Sequence, residues 1–370
     1  MVSFFNYKDV VIKNIKYYNI YIEGETMTVF EYIEQNKDIT FKEKEFNEID
    51  NIILSLISYL NFSYIDGINT IENMGKVYLE RYKYKEISKT GWAQKDAYII
   101  LEKIINSERY KNIKIENYIY TATEDEQFSA VTFIIDKKIK YIAFEGTDHL
   151  MVGWKEDFEL SYKYPVPAQI HAIKYLKNAV KLFGPKIIVG GHSKGGNLAQ
   201  ISSMELKILK KLKLKKIYSN DGPGLRLKQF ESLNYKLIRK KLEHIVPENS
   251  VVGVMLRNDK YKAVKTNKKT IMSHIPSTWL IENDNLIETN LSQKSIKLET
   301  KIIEWLDNHD DIQRKTLIET IFNILEKSGI TDTMKLKDIK CIINVIKEIR
   351  NIDKETKDLA IDFINNILFQ

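Results

Sequence analysis

A single cysteine, Cys341, stands in a chain of 370 residues. One thiol excludes an intramolecular disulfide framework, and its place in an apolar helical run reads as a small core residue. No apolar run approaches the roughly 20 residues that a membrane-spanning helix needs. The first residues lack a basic stretch followed by an apolar one, so no secretory leader is read there and a cytoplasmic location is expected. Neither G-x-x-x-x-G-K-[ST] nor G-x-G-x-x-G occurs, which removes two common phosphate-cradling loops. No Cys/His cluster has metal-ligand spacing, so neither a catalytic metal nor a cofactor is expected. Charge of one sign is missing too. The 57 basic residues are offset by 50 acidic ones, a net +7. Lys, Ile, Asn and Tyr are all abundant, as in compositional drift, so the basic balance is not evidence for nucleic acid. One basic stretch, residues 207–216, reads as the solvated end of a helix, with a phosphate or anionic-membrane patch as the minority reading.

What remains is a globular composition, 44% hydrophobic and 29% charged, in a chain long enough for one large domain with an appendage. Apolar residues at helical spacing predict helices over 46–62 and 93–105. The β-rich runs 128–135 and 139–144, joined by Asp136-Lys137-Lys138, predict a hairpin. Pro167 opens a helix that ends before Gly184-Pro185. An alternation follows: strand 186–190, helix 195–212, strand 214–219, helix 226–242, and strands near 251–256 and 261–265. That order argues for a mostly parallel sheet with helices on its faces. From about 292 onward only helical patterns occur, over 292–306, 311–328, 336–349 and 354–368. The expected organisation is an α/β domain over 1–290, with a helical extension over about 1–110, and a C-terminal helical region over 291–370.

The alternation carries one arresting segment, Ile187-Ile188-Val189-Gly190-Gly191-His192-Ser193-Lys194-Gly195-Gly196. A short apolar run meets G-x-S-x-G, and a helical pattern follows. This is the order of a nucleophile elbow, in which a strained serine between strand and helix needs small neighbours two residues either side. The backbone N–H of Lys194 would then point at a developing oxyanion. The plainer reading is a tightly packed glycine-rich turn.

A serine nucleophile needs a base, and the base an orienting acid, in the chain order Ser, acid, His. His149 and His171 precede Ser193. His192 is adjacent, its ring aimed away. His244 looks like a strand-edge residue, and His309 lies in a solvent-like loop. His274, in a loop after the last strand, remains as the base. For the acid, Asp221 follows strand 214–219 directly, where the sites of open α/β sheets lie, although Asp-Gly is also a turn signal. Glu248 and Asp259 stay open as alternatives. A second oxyanion donor is sought in Gly146-Thr147-Asp148, and Thr147 is the candidate.

Together these motifs resemble the class 3, fungal-type lipases of the α/β-hydrolase fold. They resemble the bacterial Mbeg1-like branch more closely, with its patterns F-R-G-T-D, G-W-K-E-D-F, G-H-S-K-G-G-N-L-A and S-N-D-G-P-G. Here they read Phe144-Glu145-Gly146-Thr147-Asp148, Gly153-Trp154-Lys155-Glu156-Asp157-Phe158, the elbow itself, and Ser219-Asn220-Asp221-Gly222-Pro223-Gly224. The resemblance covers about 45–285. It implies a serine hydrolase acting on an ester, of a lipid or another acyl group. Two departures stand out. Glu145 replaces the pattern's arginine. Ser250 stands where class 3 lipases carry the acid, which leaves Asp221 as the leading candidate. Trp154 and Asp157 are expected to fix the loop after Thr147, and Trp279 to pack beneath the His274 loop.

The reading that results is an α/β-hydrolase fold in which Ser193, His274 and Asp221 form a catalytic triad and Lys194 and Thr147 supply the oxyanion donors. The expected partner is a small-molecule or lipid ester, with peripheral membrane contact as a secondary reading. A non-catalytic scaffold that keeps the fold, and an acyltransferase or thioesterase with the same triad, are the alternatives.

Overall fold

A computed structural model describes residues 26–63, 69–87, 89–123, 127–148 and 150–364. Its centre is an eight-stranded sheet in simple sequential order: β1 (Asn69–Thr70), β2 (Lys114–Ala122), β3 (Gln127–Ile134), β4 (Ile139–Phe144), β5 (Lys186–His192), β6 (Leu214–Asn220), β7 (Leu242–Pro247) and β8 (Lys262–Val264). The first three pairings are antiparallel and the last four parallel. The β3–β4 hairpin forms where it is expected, because Asp136 caps its turn by accepting from the Lys138 and Ile139 amides at 2.6 and 2.8 Å.

Sequential order has a consequence for the layers. Each parallel crossover is right-handed, so successive crossovers in one direction put their helices on the same face. The helices Pro167–Ala179, Lys194–Met204 and Leu233–Ile238 lie in these crossovers. Ala172, Leu176, Leu198 and Ile238 meet Ile142, Val189 and Ile217 of the sheet. The opposite face needs another cover, and the N-terminal helices supply it. Ile49, Ile53 and Leu56 of Glu48–Ile57, with Leu101 of Trp92–Ile104, pack on Tyr141, Ala143, Ile188 and Ile245. Neighbouring β4 residues alternate between the two cores, as strand geometry demands. This is the expected α/β class, with helices on both faces of a mostly parallel sheet and helices at the C-terminal end.

Several local expectations are corrected. The helix expected over 195–212 stops at Met204 and resumes as the single turn Ile208–Lys211, because Lys207 adopts an extended ψ of 147°. Residues 207–216 are therefore a turn and the start of β6 rather than a helix end. The helix expected over 226–242 is split at Ser232, whose hydroxyl caps Leu233–Ile238 by accepting from the Tyr235 amide at 3.2 Å. Strand β7 occupies 242–247, and residues 251–256 form turns instead of a strand. The helix Ile71–Arg81 and strand β2 had no counterpart in the sequence reading. Cys341 is only half-buried, on a helix, Ile339–Arg350, that buries none of its residues.

The C-terminal helices Gln293–Asn308 and Asp311–Lys327 are tied to the body by Arg226–Asp311, by Arg257–Asp307 and by Arg314, which donates to the Ser161 carbonyl at 2.7 Å. A cavity of about 640 Å³ lies between them and the loops that carry Arg226 and Arg257; Ser193, Asp221 and His274 are not in its lining. Among the described residues no helix is long and apolar enough to cross a membrane.

Candidate active site

Ser193 sits between β5 and the helix Lys194–Met204 with φ +56° and ψ −128°. A non-glycine residue there costs on the order of 1–3 kcal/mol, which the surrounding packing must hold. Gly191 and Gly195 make the turn feasible. A Cβ on Gly195 would press into the Phe144 carbonyl, and one on Gly191 into the backbone of Gly195. The turn is pinned by the Ser193 amide, which donates to the Asn220 carbonyl at 3.0 Å. That bond sets Ser193 beside the end of β6, one residue before Asp221.

Asp221 is fully buried and also has a positive φ, 49°. Its amide donates to the Ile245 carbonyl at 2.7 Å, which fixes it on the end of the parallel ladder. Three donors converge on its carboxylate: the Ser250 hydroxyl at 2.5 Å, the Gly253 amide at 3.0 Å and His274 Nδ1 at 2.6 Å. A carboxylate removed from water needs such a set of donors. Ser250 thus serves as a donor to the Asp221 carboxylate. Residues 251–256 turn rather than extend, and this brings the Gly253 amide to the carboxylate. Neither alternative carboxylate bonds to His274 among the described residues. Asp259 pairs with Arg239 at the surface.

His274 closes a short 3-10 turn, Thr270–His274, and Trp279 lies buried beneath it, donating from Nε1 to the Ser273 carbonyl at 2.9 Å. A second support was not legible in sequence. The His274 carbonyl accepts from His192 Nε2 at 2.9 Å, and His192 Nδ1 accepts from the Tyr59 hydroxyl at 2.8 Å. Burial, then the neighbouring His274, holds His192 well below the usual histidine range, so it acts as a neutral strut. Trp92 stands edge-on to both rings. Among the described residues Ser193 and His274 share no hydrogen bond.

The other histidines fall away. His244 pairs with Ser219 in the ladder and is buried. Burial pushes it down to about 4. His171 packs on Phe128, and His309, rather than lying in open solvent, stacks on Trp305. His149 lies outside the described residues.

Lys194 enters the sequence reading through its backbone alone, yet its side chain is buried. Its ammonium donates to the Gln127 carbonyl and to Glu156 Oε2, both at 3.0 Å. Glu156 Oε1 accepts from the Ala168 amide at 2.8 Å. Burial alone would lower the lysine, but Glu156 and Asp157 carry it above the usual lysine range. The Trp154-Lys155-Glu156-Asp157 pattern carries the sequence signal for this pair in Glu156. Trp154 and Asp157 behave as expected. On the helix Met151–Glu159, Trp154 Nε1 donates to the Asp148 carbonyl at 3.1 Å, and Asp157 accepts from the Thr147 hydroxyl. Burial pushes Asp157 up to about 6, against Lys194 and Thr147. Glu145, in the departing position, is also buried. Burial and the Asp148 carboxylate push it up to about 8, although Lys194 pulls it down. It is therefore mostly protonated and neutral at pH 7.

Residues 104–323, more than half of the chain, match the Mbeg1-like family. The chain belongs to the Mbeg1-like family. The matched segment holds Thr147, Ser193, Asp221 and His274. It begins later than the resemblance read from sequence, and it runs on through Gln293–Asn308 into Asp311–Lys327. Among solved structures the chain is similar to a lipase, described as "Crystal structure of M37 lipase", at 16% identity over 57% of this chain and 70% of that one, with a TM-score of 0.34. None of the curated proteins matches it.

Proposed function

We infer that this Mbeg1-like protein is a serine-dependent hydrolase of carboxylic esters, of lipid or other acyl origin. The observation that carries the reading is the 2.6 Å contact between His274 Nδ1 and the buried Asp221 carboxylate, at the sheet edge where Ser193 stands on a strained turn. In this reading the Ser193 hydroxyl attacks the ester carbonyl carbon while His274 Nε2 takes its proton. Asp221 holds the ring through Nδ1 and stabilises the imidazolium. The Lys194 and Thr147 backbone N–H groups hold the oxyanion. Collapse of the tetrahedral intermediate expels the alcohol, which receives the proton from His274, and leaves an acyl-Ser193 ester. Water, activated by His274, then releases the acid. Glu145 does not oppose this scheme, since a neutral carboxyl near the oxyanion loop adds no repulsion.

A fluorophosphonate probe tests the reading without knowledge of the substrate. Labelling of the wild type at Ser193, lost in Ser193→Ala, is the expected result. A folded wild-type protein that neither labels nor hydrolyses short p-nitrophenyl esters would turn the reading to a non-catalytic scaffold.

A further inference from the structure

The end of the sheet opposite Ser193 carries a surface that the candidate site does not explain. The single turn Ile208–Lys211 and the residue after it leave Ile208 65%, Leu209 62% and Leu212 61% exposed. The turn after the helix Pro167–Ala179 leaves Leu182 45% and Phe183 fully exposed. These two segments adjoin. Lys210 Nζ donates to the Lys177 carbonyl at 2.5 Å, and Lys186 Nζ to the Leu212 carbonyl at 3.1 Å. Single exposed apolar residues are ordinary, but five on two adjoining turns are the kind of grouping that marks an interaction site.

The charge around it is one-sided. Lys177, Lys181, Lys186, Lys207, Lys210 and Lys213 lie on or beside the same two segments, and none forms an ion pair among the described residues. The single acid within 177–186 and 205–213 is Glu205, whose carboxylate accepts from the Tyr164 hydroxyl at 3.1 Å. We propose that this face binds an anionic lipid bilayer, with Phe183, Leu182, Ile208, Leu209 and Leu212 at the acyl boundary and the lysines on the headgroups. A bilayer interface supplies an apolar layer and a negative layer at depths that long lysine stems and short apolar side chains reach together. Nucleic acid would engage the lysines but leave the aliphatic side chains without a partner.

The placement keeps this proposal independent of the hydrolase reading. β5 and β6 begin at Lys186 and Leu214, and Ser193 and Asp221 follow their far ends. Seven residues of strand separate the two edges by roughly 20 Å. A docked molecule would turn Ser193 away from the bilayer, towards water.

Co-sedimentation of the full chain at low salt with vesicles of phosphatidylcholine alone, and with about a quarter phosphatidylglycerol, tests this. The expected result is binding to the anionic vesicles, weaker by roughly tenfold or more on neutral ones and in high salt. Each lysine near an anionic surface accounts for about a five-fold change, so Lys207→Glu/Lys210→Glu should weaken binding at least about 25-fold. Phe183→Ser/Leu209→Ser should also abolish it, and circular-dichroism melting checks that both variants fold. The proposal fails if the wild type does not sediment with anionic vesicles, or if both folded variants bind as the wild type does. It also fails if the face proves to join two copies, with light scattering giving a dimer that Phe183→Ser/Leu209→Ser dissociates and no vesicle binding. Binding to duplex RNA that withstands the serine substitutions, without vesicle binding, would overturn it as well.

Discussion

Glu145 makes the stability of this protein depend on pH in a way that one substitution removes. Burial first, then the Asp148 carboxylate, push it from an ordinary 4.5 up to about 8. Between those values the folded chain holds a proton that the unfolded chain has released. Raising the pH there favours unfolding, so the stability is complete below 4.5 and is lost as pH rises through 8. The whole difference corresponds to on the order of 5 kcal/mol. Asp157, pushed up to about 6 by burial, contributes with the same sign at lower pH. His192 and His244 are held down by burial and contribute with the opposite sign, from about pH 7.5 downwards. The difference between the wild type and a variant without this carboxyl therefore isolates Glu145. Between pH 6.5 and 8 the wild type should lose about 1.6 kcal/mol relative to that variant, the slope halving from about 1.4 kcal/mol per pH unit as pH reaches 8. With a urea slope near 3 kcal/mol per molar, its unfolding midpoint should fall by roughly 0.5 M relative to the variant's. Glu145→Gln keeps the shape and removes the titration, so its midpoint should not share that fall. Tryptophan fluorescence across a urea series at several pH values measures both proteins. Parallel curves for the two would refute the reasoning.

Two further outcomes follow from the site. Asp221→Asn should keep the fold by circular dichroism yet lower kcat for a p-nitrophenyl ester by roughly 10⁴-fold, because the amide no longer stabilises the imidazolium or its tautomer. Retained turnover would show that another group holds His274. Lys194→Met should destabilise the fold by about 3–5 kcal/mol, since it leaves Glu156 buried without its cation. Lys194→Met/Glu156→Gln should recover part of that loss in the same urea assay, and a purely additive cycle would deny the coupling.

The serine turn was legible in the sequence because its constraint is local. A strained Ser193 flanked by Gly191 and Gly195 needs no distant partner to be recognised, and the β3–β4 hairpin and the C-terminal helices rest on equally short-range patterns. Strand β2 escaped because a bulge at Asn117, with φ 54°, interrupts its alternation, and most of its residues stay at least partly exposed. The breaks at Lys207 and Ser232 escaped because propensity allowed the helices to continue, whereas the positions of β6 and β7 required the chain to turn. The composition and the motifs by themselves determined an α/β chain with an elbow serine, and they narrowed the base and acid to a few candidates. Only the tertiary structure decided that Asp221, rather than Glu248 or Asp259, meets His274, that Tyr59 and His192 brace its carbonyl, and that Lys194 is locked to Glu156. The partners in these contacts lie 38 to 133 residues apart in sequence. The ladder register and the packing of the N-terminal layer bring them together, and neither is encoded in a local pattern.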